Sequence, residues 1–150
     1  MTQREGPWEF DRRARYLLER NMNEDERIRF GIEGMDGQLI VALDERLLVV
    51  KPGFVKGKDF DGLVTSIFYS DVTDIEIKAG LTNQMIKIHA FYYQFNDRDA
   101  RNYQGNQVMQ EKDFWLSNCP DTIPITRWSL EKHKPYLYML EELVRQAKET

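Results

Sequence analysis

The chain is short of the residues on which most reaction chemistry depends. It has one cysteine, Cys119, in 150 residues. That excludes an intramolecular disulfide and a multi-cysteine zinc site, and it leads us to expect a reducing, cytoplasmic compartment. Only two histidines are present, His89 and His133. Neither stands in a metal-ligand spacing, and both read as solvated surface residues. A thiolate at Cys119 would need a base that no sequence neighbour supplies, so this thiol reads as inert. No catalytic residue, cofactor or metal is expected. Long apolar runs are missing too: Leu39–Leu43 and Leu47–Val50 fall far short of the roughly 20 residues that span a bilayer. The first 20 residues carry scattered charges and no apolar signal core, so a soluble protein is expected. A surplus of positive charge is also absent. The net charge of -4, from 21 basic against 25 acidic residues, argues against nucleic acid or an anionic leaflet as the main partner.

What the sequence does contain is periodicity. Phe10, Ala14, Leu17 and Leu18 recur at helical spacing, and Pro7 suits a first helical position, which predicts a helix over Trp8–Arg20. The period then changes to two, as Ile28, Phe30 and Ile32 alternate with charged neighbours. Gly34-Met35-Asp36-Gly37 turns the chain into a return strand through Leu39, Val41 and Leu43. Asp44-Glu45-Arg46 turns it again into Leu47–Lys51, and Pro52-Gly53 ends that strand. Further strands are predicted at Leu63–Ser70, Val72–Lys78 and Gln84–Phe95. Asn96–Asn106 reads as the tip of a long hairpin returning through Val108–Ser117, and Asn118–Pro124 as a loop with two prolines. From Pro135 the helical period resumes, with Leu137, Leu140, Leu143 or Val144, and Ala147 on one face. The predicted order is helix, about seven antiparallel strands, helix.

Four stretches in this order, Asn23–Gly34, Gly37–Gly53, Ser66–Gly80 and Gln84–Ala90, followed by a final amphipathic helix, resemble the bacterial pleckstrin-homology-like domains. Two short motifs carry much of the likeness: the turn Leu43-Asp44-Glu45-Arg46-Leu47 and the strand entry Phe68-Tyr69-Ser70-Asp71-Val72. The resemblance implies a mainly β fold, a seven-stranded orthogonal barrel or sandwich. Its open end is plugged by the C-terminal helix. It implies a helical segment over 1–23 and the PH-like domain over 24–150. It also implies a structural role for Arg46 and Asp71, which orient turn backbone or pair with each other. Phosphoinositide-binding relatives gather Lys and Arg in the first strand-strand loop; here that loop is short and acidic, so the fold does not bring that ligand with it.

Two feature sets read as binding candidates. Lys51, Lys56 and Lys58, with Phe54 and Phe60 between them, would meet an anionic lipid or membrane surface, weakly at this net charge. Aromatic residues crowd the long hairpin, and Phe91, Tyr93, Phe95, Tyr103 and Trp115 are the interface candidates. The functional expectation is a non-enzymatic module acting through a protein partner or homo-oligomer, with a peripheral lipid binder using the 51–60 loop as the alternative. Other patterns fail on inspection. Gly31–Gly37 opens no helix and so cradles no phosphate, and Asp97 and Asp99 are followed by Arg101 where a calcium loop needs oxygen.

Overall fold

The computed structural model describes residues 10–52, 62–79, 83–91 and 121–149, and the backbone of 94–95. Two antiparallel sheets and two helices make up this part of the chain. In order they are α1 (Arg12–Asn21), β1 (Phe30–Glu33), β2 (Leu39–Ala42), β3 (Arg46–Pro52), β4 (Gly62–Phe68), β5 (Val72–Ala79), β6 (Gln84–Ala90), β7 (Gln94–Phe95), β8 (Thr122–Ile125) and α2 (Arg127–Glu149). One sheet runs β1-β2-β3-β4-β7 and the other β5-β6-β8. This is the PH-like sandwich with a C-terminal helix that the sequence predicts.

The apolar runs at 39–43 and 47–50 are continuous because the five-stranded sheet is buried on both faces. Ile40, Ala42, Leu47, Val49 and Ile67 point inward, where Ile86, Ile88, Ile123 and Ile125 of the second sheet meet Leu137, Leu140 and Val144 of α2. Leu39, Val41, Leu48, Val50 and Val64 point the other way and pack against Phe10, Ala14, Leu17 and Leu18. The N-terminal helix therefore docks on its own barrel. Gly31, on the same outer face, has no side chain because a Cβ there would meet the Phe10 ring at 2.7 Å.

Local chemistry sets the element ends. Asp11 caps α1 by accepting from the Arg13 and Ala14 N–H groups at 2.9 and 3.3 Å. Its extended backbone starts the helix at Arg12, later than the apolar spacing alone suggests. Pro7 and Trp8 lie outside the described residues. The β1–β2 connection is a tight turn with Asp36 at φ 58° and Gly37 at φ 77°, closed by the Gln38 N–H on the Met35 carbonyl at 3.0 Å. Asp-Gly is the pair that such a left-handed two-residue turn favours.

Four expectations need correction. The helix predicted from Pro135 begins at Arg127, since Thr126 caps it by accepting from the Ser129 N–H at 3.0 Å. Pro135 lies inside it on the exposed face, where water can solvate the carbonyl it leaves unbonded. The single strand predicted over 84–95 is two strands. β6 ends at Ala90, and β7 joins the other sheet by pairing Phe95 with Thr65 on β4. Part of the proline-bearing loop at 118–124 is β8, an edge strand among the described residues, none of which requires an N–H from Pro124. Ile77, expected on the buried face of β5, stays 44% exposed near the end of that edge strand, whereas Ile75 packs on the core. The predicted tip at 96–106 and the arm at 108–117 lie outside the described residues.

Leu140 and Leu17 anchor the two helices from opposite sides of the five-stranded sheet, and both are buried. Leu140→Ala and Leu17→Ala are each expected to lower unfolding free energy by about 2–5 kcal/mol in urea titrations. An unmoved midpoint for Leu17→Ala would mean that α1 is not a working layer of the fold.

Candidate functional site

The turn Leu43–Leu47 and the entry Phe68–Val72 form one structural unit. The Tyr69 N–H donates to the Glu45 carbonyl at 3.2 Å, and the Tyr69 hydroxyl donates to the Leu43 carbonyl at 2.6 Å. Burial pushes the Tyr69 phenol well above its ordinary pKa, so it remains a donor at any physiological pH.

Beside this unit, Arg46 ties α1 to the barrel. Its Nε and Nη2 grip both Glu26 carboxylate oxygens at 2.8 and 2.7 Å. Its Nη2 also reaches the Asn21 carbonyl at 2.8 Å, and its Nη1 reaches Ser66 Oγ at 2.9 Å. Four of its five N–H groups are thereby committed within the chain. The partner is Glu26 and not Asp71, so the expected Arg46–Asp71 pairing is corrected; the structural role stands. The cleft around it, about 450 Å³, is lined by Asn21, Asn23, Asp25, Glu26, Asp44, Glu45, Arg46 and Phe68. Four carboxylates against one spent guanidinium make it a poor receptor for phosphate.

The anion-binding set is reduced. Lys51 is in β3, 3% exposed, with Nζ donating to Gln38 Oε1 at 2.6 Å. It does not stand on a solvated loop as expected: cross-strand alternation turns it to the inner face with Leu47 and Val49. Lys56 and Lys58 lie outside the described residues. His133 is likewise buried, its Nδ1–H donating to the Ser129 carbonyl at 2.8 Å, because the helix begins earlier than the sequence suggested and turns that position inward. His89 keeps to the outer face, with Nε2 2.7 Å from Glu76 Oε1, and this contact lowers the Glu76 pKa. Among the described residues no group of three His, Cys, Asp or Glu side chains is placed to hold a metal ion, and Cys119 lies outside them.

Of the aromatic candidates, Phe91 is placed in full view of solvent at 82% exposure, immediately after β6. The backbone of Phe95 pairs in β7, whereas Tyr93, Tyr103 and Trp115 lie outside the described residues. Sequence reading missed a second exposed apolar surface. On the outer face of α2, Trp128 is 73%, Tyr138 65% and Met139 46% exposed. Beside Met139, a groove of about 170 Å³ runs between α2 and β1, lined by Arg29, Phe30, Met139, Glu142, Leu143 and Gln146. The available signal was the cap: Thr126, followed by Leu130, His133 and Leu137 at helical spacing, places Trp128 on the face opposite the core.

The family model of the bacterial PH domain matches residues 22–109, well over half of the chain. The chain belongs to the bacterial PH domain family. No curated protein and no solved structure matches it. PH domains mediate protein or lipid interactions and are generally not enzymes. In this PH domain the matched segment begins just after α1 and ends before α2, so both helices that cover the five-stranded sheet lie outside it. Among the described residues no helix is long and apolar enough to cross a membrane.

The bond from Arg46 holds the Glu26 carboxyl below its ordinary value, against the upward push of desolvation. Stabilisation from a lowered carboxylate is complete above the ordinary range and is lost as the pH falls through the folded-state value. The stability gap between the parent and Glu26→Gln should therefore be widest near neutrality and narrow below the ordinary Glu range of about 4.3. Denaturant titrations across that range check it.

Proposed function

We propose that this PH domain is a non-enzymatic binding module that works by protein–protein contact, in the cytoplasm that its single cysteine suits. The observation that carries this reading is the exposed apolar surface of α2. Trp128, Tyr138 and Met139 stand in solvent on a helix whose opposite face already holds Leu130, Leu137, Leu140 and Val144 in the core. Exposed Trp and Tyr supply large contact area at small entropic cost, and they are the side chains that anchor protein interfaces. Phe91 adds a further exposed aromatic from the sequence-predicted set.

Electrostatics supports the same choice over a lipid surface. The first strand-strand turn holds Asp36 and no cation, Lys51 donates to Gln38 within the fold, and the cleft at Arg46 is acidic. A membrane-facing PH domain needs several cations converging on phosphate, and these positions do not provide them.

The full chain carrying a photoreactive amino acid at position 128 is expected to yield protein adducts when irradiated in cells. It is also expected to stay in the supernatant with anionic phosphatidylserine vesicles at physiological salt. Lipid adducts without protein adducts, together with salt-sensitive sedimentation on the vesicles, would overturn the reading.

A further inference from the structure

Resting on the protein-contact reading, we infer that the outer face of α2 is a self-docking surface that receives the α2 helix of a second copy of this chain, antiparallel, about a two-fold axis at the level of Leu137.

The outer stripe of α2 runs Trp128, Lys132, Pro135, Met139, Glu142 and Gln146, all exposed, in alternating steps of four and three residues. Such steps keep side chains in one narrow line along a helix. Trp128 and Gln146 are its two ends, separated by five full turns, or roughly 27 Å. One end offers an exposed indole, and the other offers the groove of about 170 Å³ beside β1. That groove is well below the roughly 300 Å³ at which pockets begin to hold drug-sized ligands, and its scale suits a single side chain.

Antiparallel alignment about Leu137 matches every position of the stripe. Trp128 faces the partner's Gln146 and enters the groove that the partner's Gln146 and the partner's Met139 line. Lys132 faces the partner's Glu142. Pro135 faces the partner's Met139. Each contact occurs twice, as a two-fold interface requires. The charges are complementary at the one pair of opposed positions that carry charge, and Arg29, ion-paired to Asp44 at 3.2 Å, forms part of the groove wall. In the single chain the groups on the α2 stripe make local surface contacts: the Lys132 ammonium lies 5.2 Å from the Trp128 ring, and Glu142 meets Arg145 and Gln146 on its own helix. A single helix pair is at the small end of stable interfaces, so the dimer should dissociate on dilution.

Sedimentation velocity on the full chain over a wide concentration range tests this. The parent is expected to pass from monomer to dimer as concentration rises. Trp128→Ala should raise the dissociation constant by roughly thirtyfold. Lys132→Glu and Glu142→Lys should each weaken the dimer by about tenfold, and the double variant Lys132→Glu/Glu142→Lys should recover most of the loss, because both opposed pairs become complementary again. All three positions are exposed, and circular dichroism of each variant checks that the fold is retained. A parent that is monomeric throughout, a dimer indifferent to Trp128→Ala, or a double variant weaker than either single one would overturn the proposal. Irradiation of the chain labelled at position 128 separates the two readings: adducts with a different protein alone remove self-docking and leave protein contact standing, whereas an absence of protein adducts removes both.

Discussion

The five-stranded sheet has no polar face, and most of the structure follows from that constraint. A strand buried on one side can alternate apolar and polar residues and leave the polar ones in water, but β2, β3 and β4 place Leu39, Val41, Leu48, Val50 and Val64 where such residues would be. At roughly 25 cal/mol for each Å² of apolar surface, leaving that face bare would cost far more than ordering one short helix. α1 supplies the cover with Phe10, Ala14, Leu17 and Leu18. The opposite face closes over the second sheet and α2, so the sheet becomes the middle of a layered body.

Arg46 links those layers at one end. It stands on the β2–β3 hairpin and bonds to the end of α1 through Asn21, to the turn before β1 through Glu26 and to the neighbouring strand β4 through Ser66. Because the side chain is mostly shielded from water, its bonds are charge-assisted contacts in a lowered dielectric, stronger than a surface ion pair. Tyr69 secures the neighbouring corner through the Leu43 carbonyl. The polar residues at this end are therefore spent on holding the fold together, and the exposed apolar surface proposed for recognition lies elsewhere.

That surface lies on an element the fold needs for another reason. α2 is retained in the core by Leu130, Leu137, Leu140 and Val144, and its register is further set by Ser129 Oγ on the Glu33 carbonyl at 3.1 Å and by Phe30 stacked on Tyr136. A helix so firmly placed presents its outer face as a rigid ridge. Rigid presentation matters for binding, since little conformational entropy remains to be lost when a partner arrives.

How much of this was legible beforehand depends on the range of the forces involved. Period-two alternation at 28–32 and 84–90, the Asp-Gly and Asp-Glu turns and the 137–144 helical stripe are local, and from them the sequence by itself determined the fold class, the order of most elements and the family likeness. Pro135 and Pro124 misled because a proline is a local signal whose meaning changes with its surroundings: one occupies the wet face of a helix and the other a sheet edge. The choice of Glu26 over Asp71 for Arg46, the inward turn of Lys51 and His133, and the crossing of the chain from β6 to β7 are pairings between residues or strands distant in sequence, or follow from where an element begins. Only the tertiary structure decided them, because a hydrogen bond is selected by the distance between atoms after the sheets have closed, and no pattern along the chain carries that distance.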